Sequence, residues 1–187
     1  GKGMHAASET LSCWIHNLSY DGKPLYALKC DIRQYFQSID HKRLKAALRR
    51  IIKDEEVRWR LDLIMHEGRE GGRGSPGGNL TSQLFANVYR DALDKYVKET
   101  LRVKYYMRYM DDFIILSHSK TELAALWRAV EAFLHYKRDL QLNPKTGIVA
   151  EKNGIDFCGY RHWKDHEKVR RRSGRLITNT IKAYNGD

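Results

Sequence analysis

Two carboxylates stand side by side at Asp111-Asp112, between the runs Tyr105-Tyr106-Met107-Arg108-Tyr109-Met110 and Phe113-Ile114-Ile115-Leu116. Adjacent aspartates are common at solvated turns, but these flanks have the aromatic and β-branched make-up of buried strands. Strands over 103–110 and 113–117 would leave only the two acids between them, which is hairpin spacing, so both fall at the tip of a packed turn. Carboxylates held rigidly together repel one another unless a cation joins them. Asp31 ends another strand-like run, Leu25-Tyr26-Ala27-Leu28-Lys29-Cys30, opened by Pro24. Three strand-end carboxylates could converge on hard cations that prefer oxygen ligands, as two-metal phosphoryl transfer requires. In that chemistry one ion lowers the pKa of the attacking hydroxyl and the other neutralises charge on the leaving pyrophosphate.

The elements that must hold these acids are legible from spacing. Residues 5–18 have helical periodicity. Asp40 is placed to N-cap a helix over 41–52, and a second helix fits 54–66 with Trp59, Leu63 and Ile64 on one face. Residues 67–78 read as loop. Leu84, Phe85, Val88, Leu93 and Val97 mark a long amphipathic helix from 80 to about 101. After the acid-bearing hairpin, Thr121 caps a helix to about 140, Asn143-Pro144 breaks it, and 147–149 and 155–160 read as strands. Hairpins and helices segregate without strict βα alternation and without an internal repeat, which gives an α+β fold, an antiparallel sheet packed on helices. The aromatic stripe Trp59, Phe85, Tyr89 and Tyr96 reads as core.

The chain has 187 residues, 42% of them hydrophobic, and a net charge of +11. That composition suits a globular domain, and the charge favours a polyanionic partner. No apolar run approaches the length of a bilayer span, so the expectation is a cytoplasmic protein without membrane partners. Three widely spaced cysteines offer neither a disulfide framework nor a CxxC zinc knuckle. Gly72-x-Gly74-x-x-Gly77 lacks the preceding strand of a dinucleotide fingerprint and contains Pro76. Cys158, His162 and His166 have helical ligand spacing, but 157–163 reads as strand, where that spacing fails for zinc. The basic run 168–175, five cations in eight residues, is either a solvated surface or a phosphate-contacting strip.

The motifs resemble, in order and over nearly the whole chain, those of reverse transcriptases from bacterial retroelements and group II introns. The run from Asp31 to Asp40, Asp-Ile-Arg-Gln-Tyr-Phe-Gln-Ser-Ile-Asp, resembles polymerase motif A. Residues 74–87, Gly-Ser-Pro-Gly-Gly-Asn-Leu-Thr-Ser-Gln-Leu-Phe-Ala-Asn, resemble motif B. Tyr109-Met110-Asp111-Asp112 matches the Tyr-x-Asp-Asp box, Leu142-Asn143-Pro144-Lys145 resembles motif D, and Phe157-Cys158-Gly159-Tyr160 resembles the primer grip. Pro76-Gly77-Gly78 and Ser82-Gln83 depart from the common Pro-Gln-Gly and Ser-Pro. The Ser-Gln ending looks most like diversity-generating retroelements, although Gly77 stands where they carry a branched apolar residue.

The resemblance implies a polymerase palm with part of the fingers. The end of the fingers would occupy 1–24, the palm 25–163 with 41–78 as an insertion, and the start of a thumb or C-terminal extension 164–187. Asp31, Asp111 and Asp112 would bind two Mg2+ ions, for which Mn2+ can substitute, with the Ile32 carbonyl as a further ligand. Amides at Arg33, Gln34 and Tyr35 would face the triphosphate. Phe36 would be the aromatic gate that selects deoxynucleotides, and Gly78 and Gln83 would border the nucleotide. Lys145 would orient or protonate pyrophosphate, and Lys168, Arg170, Arg171 and Arg172 would contact backbone phosphates. The implied partners are an RNA template, a DNA or RNA primer, deoxynucleoside triphosphates and a basic accessory protein of the retroelement, in a bacterial-type cell or its phage. A fragment lacking most of the fingers and thumb is expected to show little activity alone. An intron maturase or antiviral reverse transcriptase, or a non-catalytic basic RNA-binding fragment, are the alternatives.

Overall fold

The computed structural model describes residues 3–66, 72–74 and 80–170. The chain forms two compact units, one from Gly1–Lys29, Tyr105–Ala124 and Gly147–Asp187, the other from Cys30–Lys104 and Ala125–Thr146.

In the first unit, helix α1 (Met4–Leu18) buries Ser8, Leu11 and Ile15, a stripe at the i, i+3, i+7 spacing of one helical face. The stripe joins a core with Leu25, Ala27, Ile114, Leu116, Ile155 and Phe157. Strands β1 (Tyr26–Asp31), β2 (Tyr106–Tyr109), β3 (Asp112–Ser117) and β4 (Gly147–Ala150) make one sheet in the order β2-β3-β1-β4. Phe113 to Leu116 are all buried, which explains why this run carries no polar alternation. The last two residues of β1, Cys30 and Asp31, belong to the second unit.

The hairpin differs from the sequence expectation in its bend. Tyr109 pairs with Asp112, so the two-residue turn is Met110-Asp111, and Asp112 is the first residue of β3. Only Asp111 is at the tip. A second three-stranded sheet, β5 (Ile155–Phe157), β6 (Tyr160–His162) and β7 (Glu167–Val169), replaces the single strand expected over 155–160. Phe157 pairs with Tyr160 across Cys158 and Gly159, whose φ values are 49° and 79°. Two successive left-handed residues are what a tight hairpin turn of the I′ kind needs, so the Cys-Gly pair bends a run that otherwise reads as continuous strand.

The second unit is helical: α2 (Tyr35–Ser38), α3 (His41–Ile51), α4 (Glu55–His66), α5 (Leu80–Lys95) and α6 (Lys120–Phe133), whose N-terminal turn lies in the first unit. Helices α5 and α6 each loosen into a π turn, at Tyr96–Thr100 and Leu134–Arg138, so both end earlier as α-helix than periodicity indicates. The N-cap of α6 is Ser119, whose Oγ accepts from the Glu122 amide at 3.1 Å, rather than Thr121. The apolar face anticipated on α4 is largely solvent-facing, with Trp59 62% and Leu63 53% exposed, so Trp59 is not core. Phe85 and Tyr89 are buried as expected, whereas Leu84 is exposed. Among residues 72–74, Arg73 bridges Asp40, and the Gly74 amide donates to the Ile39 carbonyl at 2.8 Å. No described helix is long and apolar enough to cross a membrane.

Asp40 caps α3 as its sequence position indicates, with Oδ1 accepting from the Arg43 amide at 2.8 Å. Asp40→Ala leaves that helix-start amide unpaired, and urea unfolding is expected to show a loss of about 1 kcal/mol.

Candidate active site

Asp111 and Asp112 are half-buried at the mouth of a hairpin whose second strand buries Phe113 to Leu116. Met110, between Tyr109 and Asp111, has φ 53°, and its carbonyl accepts from Arg108 Nη1 at 3.2 Å, which ties the bend to its own strand. The field of Asp112 reaches the β5–β6 turn. Burial first, and then that carboxylate, push the Cys158 thiol up to about 11, with Lys29 acting in the opposite sense.

The four primer-grip residues split by environment. Phe157 and Cys158 are buried, and Gly159 and Tyr160 form the outer part of the turn. The Gly159 carbonyl accepts from the Arg170 amide at 3.0 Å, and Tyr160 meets His5 edge-on at 6.2 Å between ring centroids. Lys168, on β7, lies 5.9 Å from the Trp163 ring. Arg171, Arg172 and the rest of the basic run lie outside the described residues. A cluster not anticipated from sequence supports this sheet. Ser12 Oγ is 2.9 Å from His162 Nδ1 and donates to Glu167 Oε2 at 3.0 Å, while Ser8 Oγ donates to the same oxygen at 3.3 Å. His162 is fully buried, and burial lowers its pKa against the pull of the Phe157 carbonyl and of Glu167. His162 therefore serves packing, and His166 stacks on Trp163.

In the second unit, Asp31 is half-buried and Asn143 holds it. Asn143 Nδ2 donates to Asp31 Oδ2 at 3.0 Å, and the Asn143 amide donates to the Asp31 carbonyl at 2.7 Å. Ile32 and Leu142 form an antiparallel bridge, with the Arg33 amide donating to the Gln141 carbonyl at 2.9 Å. Both hydrogen bonds of that bridge flank Ile32, so its own carbonyl takes no part in them. The Arg33 amide, expected to face a triphosphate, is instead committed to this bridge. Gln34 is left-handed at φ 45° and starts α2. Tyr35 is buried, donates its hydroxyl to the Ala86 carbonyl at 2.7 Å, and carries Arg90 over its ring at 4.3 Å. Phe36 is half-buried and meets Tyr35 edge-on. Gln83 is exposed on α5, and Gly78 lies outside the described residues. Lys145 is exposed, its amide donating to Asn143 Oδ1 at 3.1 Å. Asn143, read from sequence only as a helix breaker and a motif member, thus fixes both Asp31 and the backbone of Lys145.

Among the described residues no three His, Cys, Asp or Glu side chains form a preassembled metal-holding group. The chemistry of the donors still suits a hard cation. The acids are half-buried oxygen donors, and the Asp31 carboxylate is oriented by an amide, as outer-shell partners orient metal-binding carboxylates.

A helix-backed antiparallel sheet with an aspartate at a hairpin bend and another closing a neighbouring strand is the palm architecture of template-copying polymerases. The chain belongs to the reverse transcriptase family, since the family model described as reverse transcriptase (RNA-dependent DNA polymerase) matches residues 3–162. Protein YkfC of Escherichia coli (strain K12) is 24% identical over 200 residues, covering 86% of this chain and 52% of that protein. The chain thus spans about half the length of this curated relative. Apo telomerase from Candida tropicalis, truncated from the C-terminal domain, superposes with a TM-score of 0.68 at 17% identity, over 89% of this chain and 40% of that one. Telomerase from Candida albicans, in complex with the TWJ fragment of telomeric RNA, gives 0.70 at 13% identity, over 90% of this chain and 34% of that one. Both likenesses concern the fold, and they agree with the α+β palm reading.

The thiol environments predict selective chemistry. Burial raises the pKa of Cys30 and of Cys158, so both remain protonated and unreactive at pH 8, whereas Cys13 is exposed. Iodoacetamide at pH 8 is expected to alkylate Cys13 alone, checked by peptide mass spectrometry. Labelling of Cys158 should rise only as the pH approaches 11.

Proposed function

We propose that the chain is the palm of an RNA-directed DNA polymerase that adds deoxynucleotides to a primer 3′ end on an RNA template. The observation that carries the reading is the Tyr109-Met110-Asp111-Asp112 box on a packed hairpin, within a chain that matches the family over residues 3–162. On this reading the palm runs over 25–163, with fingers before it, an insertion at 41–78 and the start of a thumb after 164. The Ser82-Gln83 ending of motif B supports a diversity-generating retroelement, of a bacterial-type cell or its phage, over an intron maturase or antiviral enzyme.

Asp31, Asp111 and Asp112, with the Ile32 carbonyl, would hold two Mg2+ ions. Bound there, the ions would activate the primer hydroxyl and stabilise charge on the departing pyrophosphate. The protein's own contribution is positional. Asn143 turns the Asp31 carboxylate, and the same side chain anchors the backbone of Lys145, which supplies a proton or a positive charge to pyrophosphate. Phe36, backed by the buried Tyr35, offers an aromatic edge that would crowd a ribose 2′-hydroxyl and so favour deoxynucleotides. Lys168 and Arg170 supply phosphate contacts beside the primer-grip turn, and a basic accessory protein is a further partner of such elements.

The deciding assay is primer extension on an RNA template with deoxynucleotides and magnesium, with and without flanking fingers and thumb segments. Asp111→Asn is expected to cut synthesis on the order of a hundredfold or more. Equal RNA binding by both proteins, with no magnesium-dependent synthesis by either, would leave a basic RNA-binding module instead. In the active form, Asn143→Ala is expected to reduce kcat about 10- to 100-fold and to raise the magnesium concentration needed for half-maximal rate, with KM for primer-template unchanged. A fall in kcat with no change in magnesium requirement would remove Asn143 from the metal-positioning role.

A further inference from the structure

The helical unit contains a recess of about 450 Å³ formed by α3, the end of α5 with its π turn, and the π turn after α6. None of the residues assigned to nucleotidyl transfer lines it. Arg43 and Arg50 enter it from α3, seven residues apart and hence on one face, while Lys95 comes from α5 and Lys137 and Arg138 from the π turn. One carboxylate, Glu99, is present among these cations.

Among the described residues, the nearby carboxylates offset this charge only in part. Asp139 is ion-paired with Arg73, Asp91 holds Lys95 at 2.7 Å, and Asp40 is spent on capping α3. Arg43 Nη1 and Arg138 Nε are buried without a hydrogen-bond partner among the described residues. Buried charged donors left unpaired cost stability, so two of them on residues that line one recess need a reason. Arg138 registers the field: burial foremost, with repulsion from Arg43 and Arg50, lowers its pKa, and only Tyr89 and Tyr35 act the other way.

Guanidinium groups converging on a concave site are suited to a tetrahedral oxyanion, because each presents several donors in a planar fork. The volume exceeds that of one phosphate and accommodates a diphosphate or a short stretch of phosphodiester chain. Tyr96 and Phe133, stacked on each other at 4.2 Å between centroids, give the recess a rigid apolar wall. We propose that this recess binds a phosphate-bearing anion, with Arg43, Arg50 and Arg138 as its principal donors. Nucleic-acid backbone and free polyphosphate share this chemistry.

The two sources are separated by titrating the protein with pyrophosphate and with a short single-stranded RNA by calorimetry. Both titrations are run in EDTA, so that no metal-dependent site contributes. Arg50→Glu changes an exposed residue on the rim, and Arg49→Glu makes the same charge change one position along the helix, outside the recess. Circular dichroism confirms that both variants fold. Arg50→Glu is expected to weaken at least one probe about tenfold, with Arg49→Glu changing it less than about twofold. Selective loss for pyrophosphate alone identifies free polyphosphate, and selective loss for RNA identifies backbone phosphate; either supports the site. Equal weakening by the two variants, or no binding of either probe to the wild type, overturns it.

Discussion

Much of the helical unit's site rests on one side chain. Asn143 grips Asp31 twice, through its amide nitrogen to the main-chain carbonyl and through Nδ2 to the carboxylate, and its Oδ1 accepts from the Lys145 amide. An asparagine can do this because its side chain carries both a donor and an acceptor. Aspartate would lack the donor and place a like charge against Asp31. The Ile32–Leu142 bridge and the Arg33 bond to Gln141 follow from the same pairing, since they continue the register that the Asn143 amide starts. The cost is that the Arg33 amide is spent on this pairing.

The sheet-bearing unit solves a different problem with similar means. Its hairpin of buried apolar strands has to end in charge. β3 buries four consecutive side chains, so burial holds the strand while Asp111 and Asp112 remain at its half-buried end. The small β5–β6–β7 sheet is tied to α1 by Ser8, Ser12, His162 and Glu167. Burial disfavours the charged form of His162 more than Glu167, 3.3 Å from its Nδ1, favours it, so its pKa is lowered within this network. At Gly154, φ is 78° and an added Cβ would lie 2.7 Å from Trp163 and Arg161 atoms, so the approach to this sheet has no room for another residue type.

What was readable in the sequence follows from how local its cause is. The Asp40 cap, the burial of β3 and the α1 stripe depend on neighbours within a turn or a strand, and each appears as expected. Sequence leaves the position of Asp112 ambiguous by one residue because a two-residue turn can be drawn through either pair, and the strand pairing decides between them. The hairpin at Cys158-Gly159 was hidden because cysteine carries no turn signal and a single glycine inside a strand pattern is ambiguous. Trp59 stands on an apolar face yet is exposed, because periodicity reports that a face is apolar and not what covers it. The Asn143–Asp31 bond and the His162 cluster join residues more than a hundred positions apart, and no spacing rule reaches that far.

Backbone strain is distributed in a way that bears on function. Five non-glycine residues among those described have positive φ: Gln34, Arg102, Met110, Asp139 and Cys158. Three of them fall inside sequence motifs, three residues after Asp31, immediately before Asp111, and within the primer-grip turn. A left-handed conformation costs a non-glycine residue about 1–2 kcal/mol, and an unconstrained chain would relieve it with glycine. Each of the three sits at a bend that re-aims the chain beside a residue assigned to chemistry or substrate contact. The bend at Met110 puts Asp111 outside the sheet while Asp112 remains in it. The two adjacent carboxylates are thereby given different surroundings, one at the bend and one paired into the sheet.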